Sequence, residues 1–158
     1  MRPVAVGMSL LVAIDGCSSE PVGPGLDALV GQWRSSTVQL QPRGTMDGVF
    51  VVRPDGQTQN HVFSRGVYAN QASGDLSTHE VLYGHIAVSP SKFIIHPDSL
   101  VTVDVFYGPS DRSVQRDFSG RPIDSTRYDI RGDELHLEYY TYPADAPVLT
   151  RAVLYRVP

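Results

Sequence analysis

The chain has 158 residues and a formal net charge of −4. Hydrophobic residues make up 41% and charged residues 19%, an ordinary globular composition that excludes a mainly disordered chain. The length suits one domain with a real hydrophobic core. Lys92 is the only lysine among 13 basic residues, and no stretch is strongly basic, which argues against a nucleic-acid partner. The single cysteine, Cys17, excludes an internal disulfide framework and any multi-cysteine zinc site.

Arg2 gives a minimal positive start, and residues 3–14 form an apolar run. That run is too short to cross a bilayer, which takes about 20 residues. It fits the core of a signal peptide, roughly 7–15 residues long. The run ends at Ile14-Asp15-Gly16-Cys17. This resembles the bacterial lipobox, an aliphatic residue and two small residues before a lipidated cysteine; Asp15 departs from that pattern. The resemblance implies cleavage before Cys17, a diacylglycerol on its sulfur and acylation of the new amino group. Two or more acyl chains hold a protein stably on a membrane, where one does not. Residues 18–25 are small, polar and rich in Pro and Gly, and read as a tether. The domain layout expected is a signal peptide over 1–16, a lipidated Cys17 with its tether over 17–25, and one domain over 26–158. The location implied is the cell envelope, on the periplasmic face of the outer membrane in a two-membrane cell.

Beyond this, Leu26 to Val30 reads as one helical turn before Gly31. The remainder is short β-rich runs divided by turn residues. Residues 49–52 run into Asp55-Gly56, a strong hairpin signal. Strands follow over 57–68, over 81–88, and over 93–96 up to Pro97-Asp98. Val101, Val103, Val105 and Tyr107 alternate with polar or aromatic neighbours, the pattern of a half-buried strand with one face inward. Residues 108–122 read as a long charged loop holding a short strand near 114–118. Residues 126–131 and 135–139 flank a Gly132-Asp133 turn, and 148–157 is the last strand. Eight to ten short strands at regular spacing predict an all-β sandwich or closed barrel.

Gly31-Gln32-Trp33, directly after the helical turn, chooses between them. Gly-x-Trp in that place resembles the lipocalins and the bacterial lipocalin-like domains. Phe50 to Gly56, Tyr128 to Leu137 and Leu154-Tyr155-Arg156-Val157 resemble that family's turn, penultimate hairpin and closing strand. The resemblance spans residues 26–158 and implies an antiparallel up-and-down barrel. It also implies a closed end in which an arginine of the last strand covers the tryptophan ring; Arg156 is the candidate and Arg151 the alternative. Gly31, Trp33 and Arg156 then form a structural cluster, and the other end is free to take one small ligand.

No residue pattern points to catalysis. No Gly-x-Ser-x-Gly elbow is present, and no spacing singles out a Ser-His-Asp set. His79 and His85 share a strand face, but Glu80 points to the other, and no His-x-His pair exists, so no metal or cofactor is expected. Arg131-Gly132-Asp133 is read as a turn. Tyr83, Tyr107 and Tyr139, with Tyr140 and Tyr142, supply aromatic surface for a ligand cavity; ordinary core and rim packing is the simpler reading. The leading expectation is a lipid-anchored barrel that binds or shields a small apolar molecule. The alternatives are a filled barrel acting as a protein–protein module or hydrolase inhibitor, and an enzyme at the barrel mouth. The state of the barrel interior separates the first two.

Overall fold

The computed structural model describes residues 25–105, 111–118, 125–141 and 146–158. A single helical turn, α1 (Leu26–Leu29), precedes ten strands among these residues. They are β1 (Gly31–Ser35), β2 (Val38–Gln39), β3 (Thr45–Val52), β4 (Gln57–Arg65) and β5 (Leu76–Ser89). β6 (Lys92–Asp104), β7 (Arg112–Gln115), β8 (Thr126–Arg131), β9 (Glu134–Thr141) and β10 (Val148–Arg156) complete the set.

The sheet runs β1-β10-β9-β8-β6-β5-β4-β3, and β1 also pairs with β3, which closes it. The protein is therefore an all-β, antiparallel barrel of eight strands with one helical turn at its N-terminal side. β2 extends the β3 edge, and β7 pairs with the far part of β6. Turn chemistry does what its residues suggest. Gly56 takes a φ of 82° between β3 and β4, where the Asp55 carboxylate accepts the Gln57 N–H.

The closed end is built around Trp33, which is 0% exposed. Its indole N–H donates to the Leu29 carbonyl at 2.8 Å, so the α1 turn sits over the ring. The Arg156 guanidinium lies 4.1 Å from the ring centroid and donates to the carbonyls of Val30 and Ala28 at 3.0 and 2.9 Å. Gly31 has a φ of 133°, and a Cβ there would come within 3.0 Å of that guanidinium. Glycine at this position thus makes room for the arginine as well as for the backbone. Phe50, Phe93, Tyr128, Leu135 and Leu154 pack around the plug. Arg151 is elsewhere: it donates to Glu138 at 3.1 Å on the exposed face of β10.

Several strands differ from their expected limits: β3 starts earlier, at Thr45, β4 ends earlier, at Arg65, β7 spans Arg112–Gln115, and β5 and β6 differ most. β5 begins at Leu76, five residues before the apolar run at Val81, because Thr78, His79 and Glu80 are held by pairing on both edges. The runs 93–96 and 101–105 are one strand, β6, which passes through Pro97-Asp98. Register shifts between Tyr83 and Gly84: Gly84 pairs with Pro97 and Tyr83 with Ser99, so Asp98 is the extra residue of a bulge. A Cβ on Gly84 would lie 2.5 Å from the His96 carbonyl oxygen, so only glycine admits this approach.

The bulge decides which face of β6 looks inward. Phe50 is in the core and pairs with Asn60, Asn60 with Leu82, and Leu82 with Leu100. Paired residues share a sheet face. Leu100, Thr102 and Asp104 therefore face the lumen, and Val101 and Val103 face outward. The valine alternation marks the outer face. There Val49, His61, Val81, Val101 and Val114 stand in one row across five strands. Val81 is only 5% exposed because its neighbours in that row cover it.

Trp33→Ala removes the centre of the closed end and is expected to cost roughly 3–5 kcal/mol in urea unfolding. Arg156→Ala loses a cation–π contact of about 0.5–2 kcal/mol and leaves two carbonyls without their donor. A near-neutral result for both variants would show that the plug does not hold the barrel.

Candidate functional site

Above the plug the lumen is not filled. A cavity of about 500 Å³ lies between β1, β3, β4, β6, β9 and β10. Its apolar wall includes Phe50, Val62, Phe93, Ile95, Leu137 and Leu154. Small residues create the space: Gly48 faces Val62 across β3 and β4, and Ala152 faces Leu137 across β10 and β9. Phe50 and Phe93 stack at 6.0 Å between centroids and form an aromatic floor above Trp33.

Polar residues also line the cavity, among them Ser35, Asn60, Thr126, Tyr139 and Thr150, and two charged residues, Asp47 and Arg151, border it. Ser35 accepts the Gly48 N–H at 2.8 Å, and Thr150 shares a hydrogen bond with Thr141 at 2.9 Å. Asn60, Thr126 and Tyr139 make no side-chain hydrogen bond among the described residues. Lower on the lumen face of β4, the buried Thr58 hydroxyl also has no partner among them. Such groups are normally satisfied, by protein, water or ligand.

The tyrosines singled out from the sequence are placed differently from one another. Tyr139 lines the cavity. Tyr83 pairs with Gln59 and Ser99 on the row next to Val81 and Val101, which is the outer face. Tyr140 is 50% exposed, on the opposite face of β9 from Tyr139. Tyr107, Tyr142 and Cys17 lie outside the described residues. Gly31, Trp33 and Arg156 come together at the closed end, as described above.

The outer face carries a feature that spacing along one strand does not reveal. His61 of β4 and His79 of β5 are diagonal neighbours, with Nδ1 and Nε2 3.1 Å apart. The Gln59 side-chain oxygen Oε1 lies 3.2 Å from His61 Nε2. With that nitrogen donating to Gln59, His61 Nδ1 is the acceptor and His79 Nε2 the donor in the neutral pair. Phe63 stacks on His79 at 4.4 Å, and Arg65 lies over Phe63 at 5.3 Å while pairing with Asp47. Two nitrogens are too few to hold a metal, and no group of three or more His, Cys, Asp or Glu residues occurs among the described residues. His85, on the same face as His79, pairs with Asp98 at 2.9 Å. His136 contacts Glu134 at 2.9 Å on the wall of the barrel.

Comparison with known proteins adds no relative: no protein-family model matches the chain, and no curated protein matches it. What the residues define is a closed antiparallel β-barrel with one plugged end and a cavity inside.

Both paired imidazoles are held below their ordinary value of 6.5. Burial is the main cause for each, and for His61 the neighbouring His79 charge adds to it. The unfolded chain therefore takes up protons at a higher pH than the barrel does. The pair's contribution to stability is complete above the unfolded value and is lost as pH falls through the lowered folded values. Unfolding free energy is expected to fall between roughly pH 7.5 and 5, and less steeply in the His61→Gln/His79→Gln variant. Equal slopes in urea titrations of the two proteins would remove the pair from the acid response.

Proposed function

We propose that this chain is an exported, lipid-anchored, lipocalin-like protein that binds or shields a small apolar molecule inside its barrel. The observation that carries the reading is the cavity of about 500 Å³. Ligand pockets of small molecules begin near 300 Å³ and combine apolar walls with a few placed polar groups. Here the walls are aromatic and aliphatic, and Asn60, Thr126 and Tyr139 are the groups available to orient a guest. The Trp33 plug closes the other end, so a guest enters from the open side and meets the aromatic floor. A filled barrel, as a purely protein-binding module would have, lacks such a space.

The anchor rests on Ile14, Gly16 and Cys17, with the apolar run before them and the small, polar segment after them. Ligand and anchor are separate claims and have separate tests. For the ligand, a neutral naphthylamine dye is expected to gain fluorescence with the purified barrel. Leu137→Trp, which places an indole in the cavity, is expected to weaken that uptake about tenfold or more. Native mass spectrometry of detergent-extracted protein is expected to show an added non-protein mass. No dye uptake and no added mass would overturn the ligand reading. For the anchor, metabolic labelling with a radioactive fatty acid is expected to mark the wild type and not Cys17→Ser; equal labelling would overturn it.

A further inference from the structure

The row of lumen residues next to the cavity contains a carboxylate. Val62, which lines the cavity, pairs with Glu80, and Glu80 pairs with Thr102. Side chains paired across strands share a face with their Cβ atoms about 4.5–5.5 Å apart. Glu80 therefore stands beside Val62 on the lumen side of β5. It is half-buried and makes no hydrogen bond or ion pair among the described residues. The next row outward brings Asp104 to the same face, where Tyr68 donates to it at 2.8 Å.

Among the described residues Glu80 has no salt-bridge partner. Arg156 is committed at the far end to Trp33 and two carbonyls. Arg65 pairs with Asp47, and Arg151 with Glu138. Along its depth the lumen thus passes from an aromatic floor, Phe50 and Phe93, to an unpaired carboxylate. A partly desolvated carboxylate favours a cation and disfavours a second anion. Aromatic faces also attract organic cations.

We propose that the lumen selects a cationic amphiphile, with an apolar chain directed at Phe50 and Phe93 and a protonated amine at Glu80. This deepens the ligand reading above and rests on it. The guest class is a long-chain amine or a comparable organic cation, and fatty acids are disfavoured despite the same chain.

The test compares three guests of equal chain length, dodecylamine, dodecanol and dodecanoate, by displacement of the neutral dye at about pH 7, where the amine and the acid are both charged. The expected order is amine, then alcohol, then acid, with the amine about fivefold tighter than the alcohol, as for one partly solvated ion pair. In Glu80→Gln the amine-to-alcohol ratio is expected to fall to near one. That comparison separates the lumen carboxylate from the general pull of a chain with net charge −4, which Glu80→Gln leaves almost intact. Dodecanoate binding as tightly as dodecylamine would overturn the proposal, as would an unchanged ratio in Glu80→Gln. If dodecanol displaces the dye and the amine gains nothing, the charge selection fails while the cavity reading stands. If the dye itself is not taken up, the cavity reading fails.

Discussion

The Arg156 guanidinium satisfies the carbonyls of Ala28 and Val30 and at the same time covers the face of Trp33. One side chain near the C-terminus of the domain thereby fixes the α1 turn and the start of β1. Because β1 pairs with both β3 and β10, this is also where the sheet meets itself. The energy of the contact is modest taken alone. Its importance is geometric. It sets a solid floor, and a floor is what turns a ring of strands into a vessel with one end. The cavity, its depth and the orientation of anything inside it are defined relative to that floor.

A second constraint is the single extra residue in β6. Asp98 shifts the pleat by one position, so that Leu100 and Thr102 look inward while Val101 and Val103 look outward. A one-residue shift exchanges the two faces of a strand. Without the bulge, the lumen wall of β6 would be a ladder of valines, and the region around Glu80 would be uniformly greasy. Gly84 makes the shift possible by having no Cβ to meet the His96 carbonyl. The polarity of the upper lumen therefore follows from one glycine on β5 and one additional residue opposite it.

How much of this could be read from the residues alone depends on how local the determinant is. Gly31-x-Trp33 after a helical turn, Asp55-Gly56 and Gly132-Asp133 are short-range signals, and the barrel architecture was legible from them together with the strand rhythm. Arg156 could be assigned to the plug only by resemblance, since nothing near it in sequence marks it apart from Arg151. The valines at 101 and 103 are misleading for a physical reason. Their alternation is real, but alternation says that two faces differ and leaves open which of them is wet. The outer row holds valines on four of its five strands, and Val114 at its end is exposed. The His61–His79 contact was hidden for a similar reason: it is a cross-strand diagonal, and its two partners are 18 residues apart. Residue type alone groups Tyr83 with Tyr139, whereas the register separates them.

The plug also has a consequence for the order in which the molecule can be made. The bonds from Arg156 to Val30 and Ala28 span 126 and 128 residues. Contacts between positions so distant in the chain form slowly, because the loop entropy is spent before they return anything. As the polypeptide is synthesised from its N-terminus, β1 waits for β10, the last strand to emerge. Until it arrives, the edges of β1 and β9 have no neighbour, and an unpaired edge invites pairing with other chains. The barrel is thus an all-or-nothing assembly whose final step belongs to its last strand. A truncation of only a few residues from the end of β10 would leave a sheet in place of a vessel.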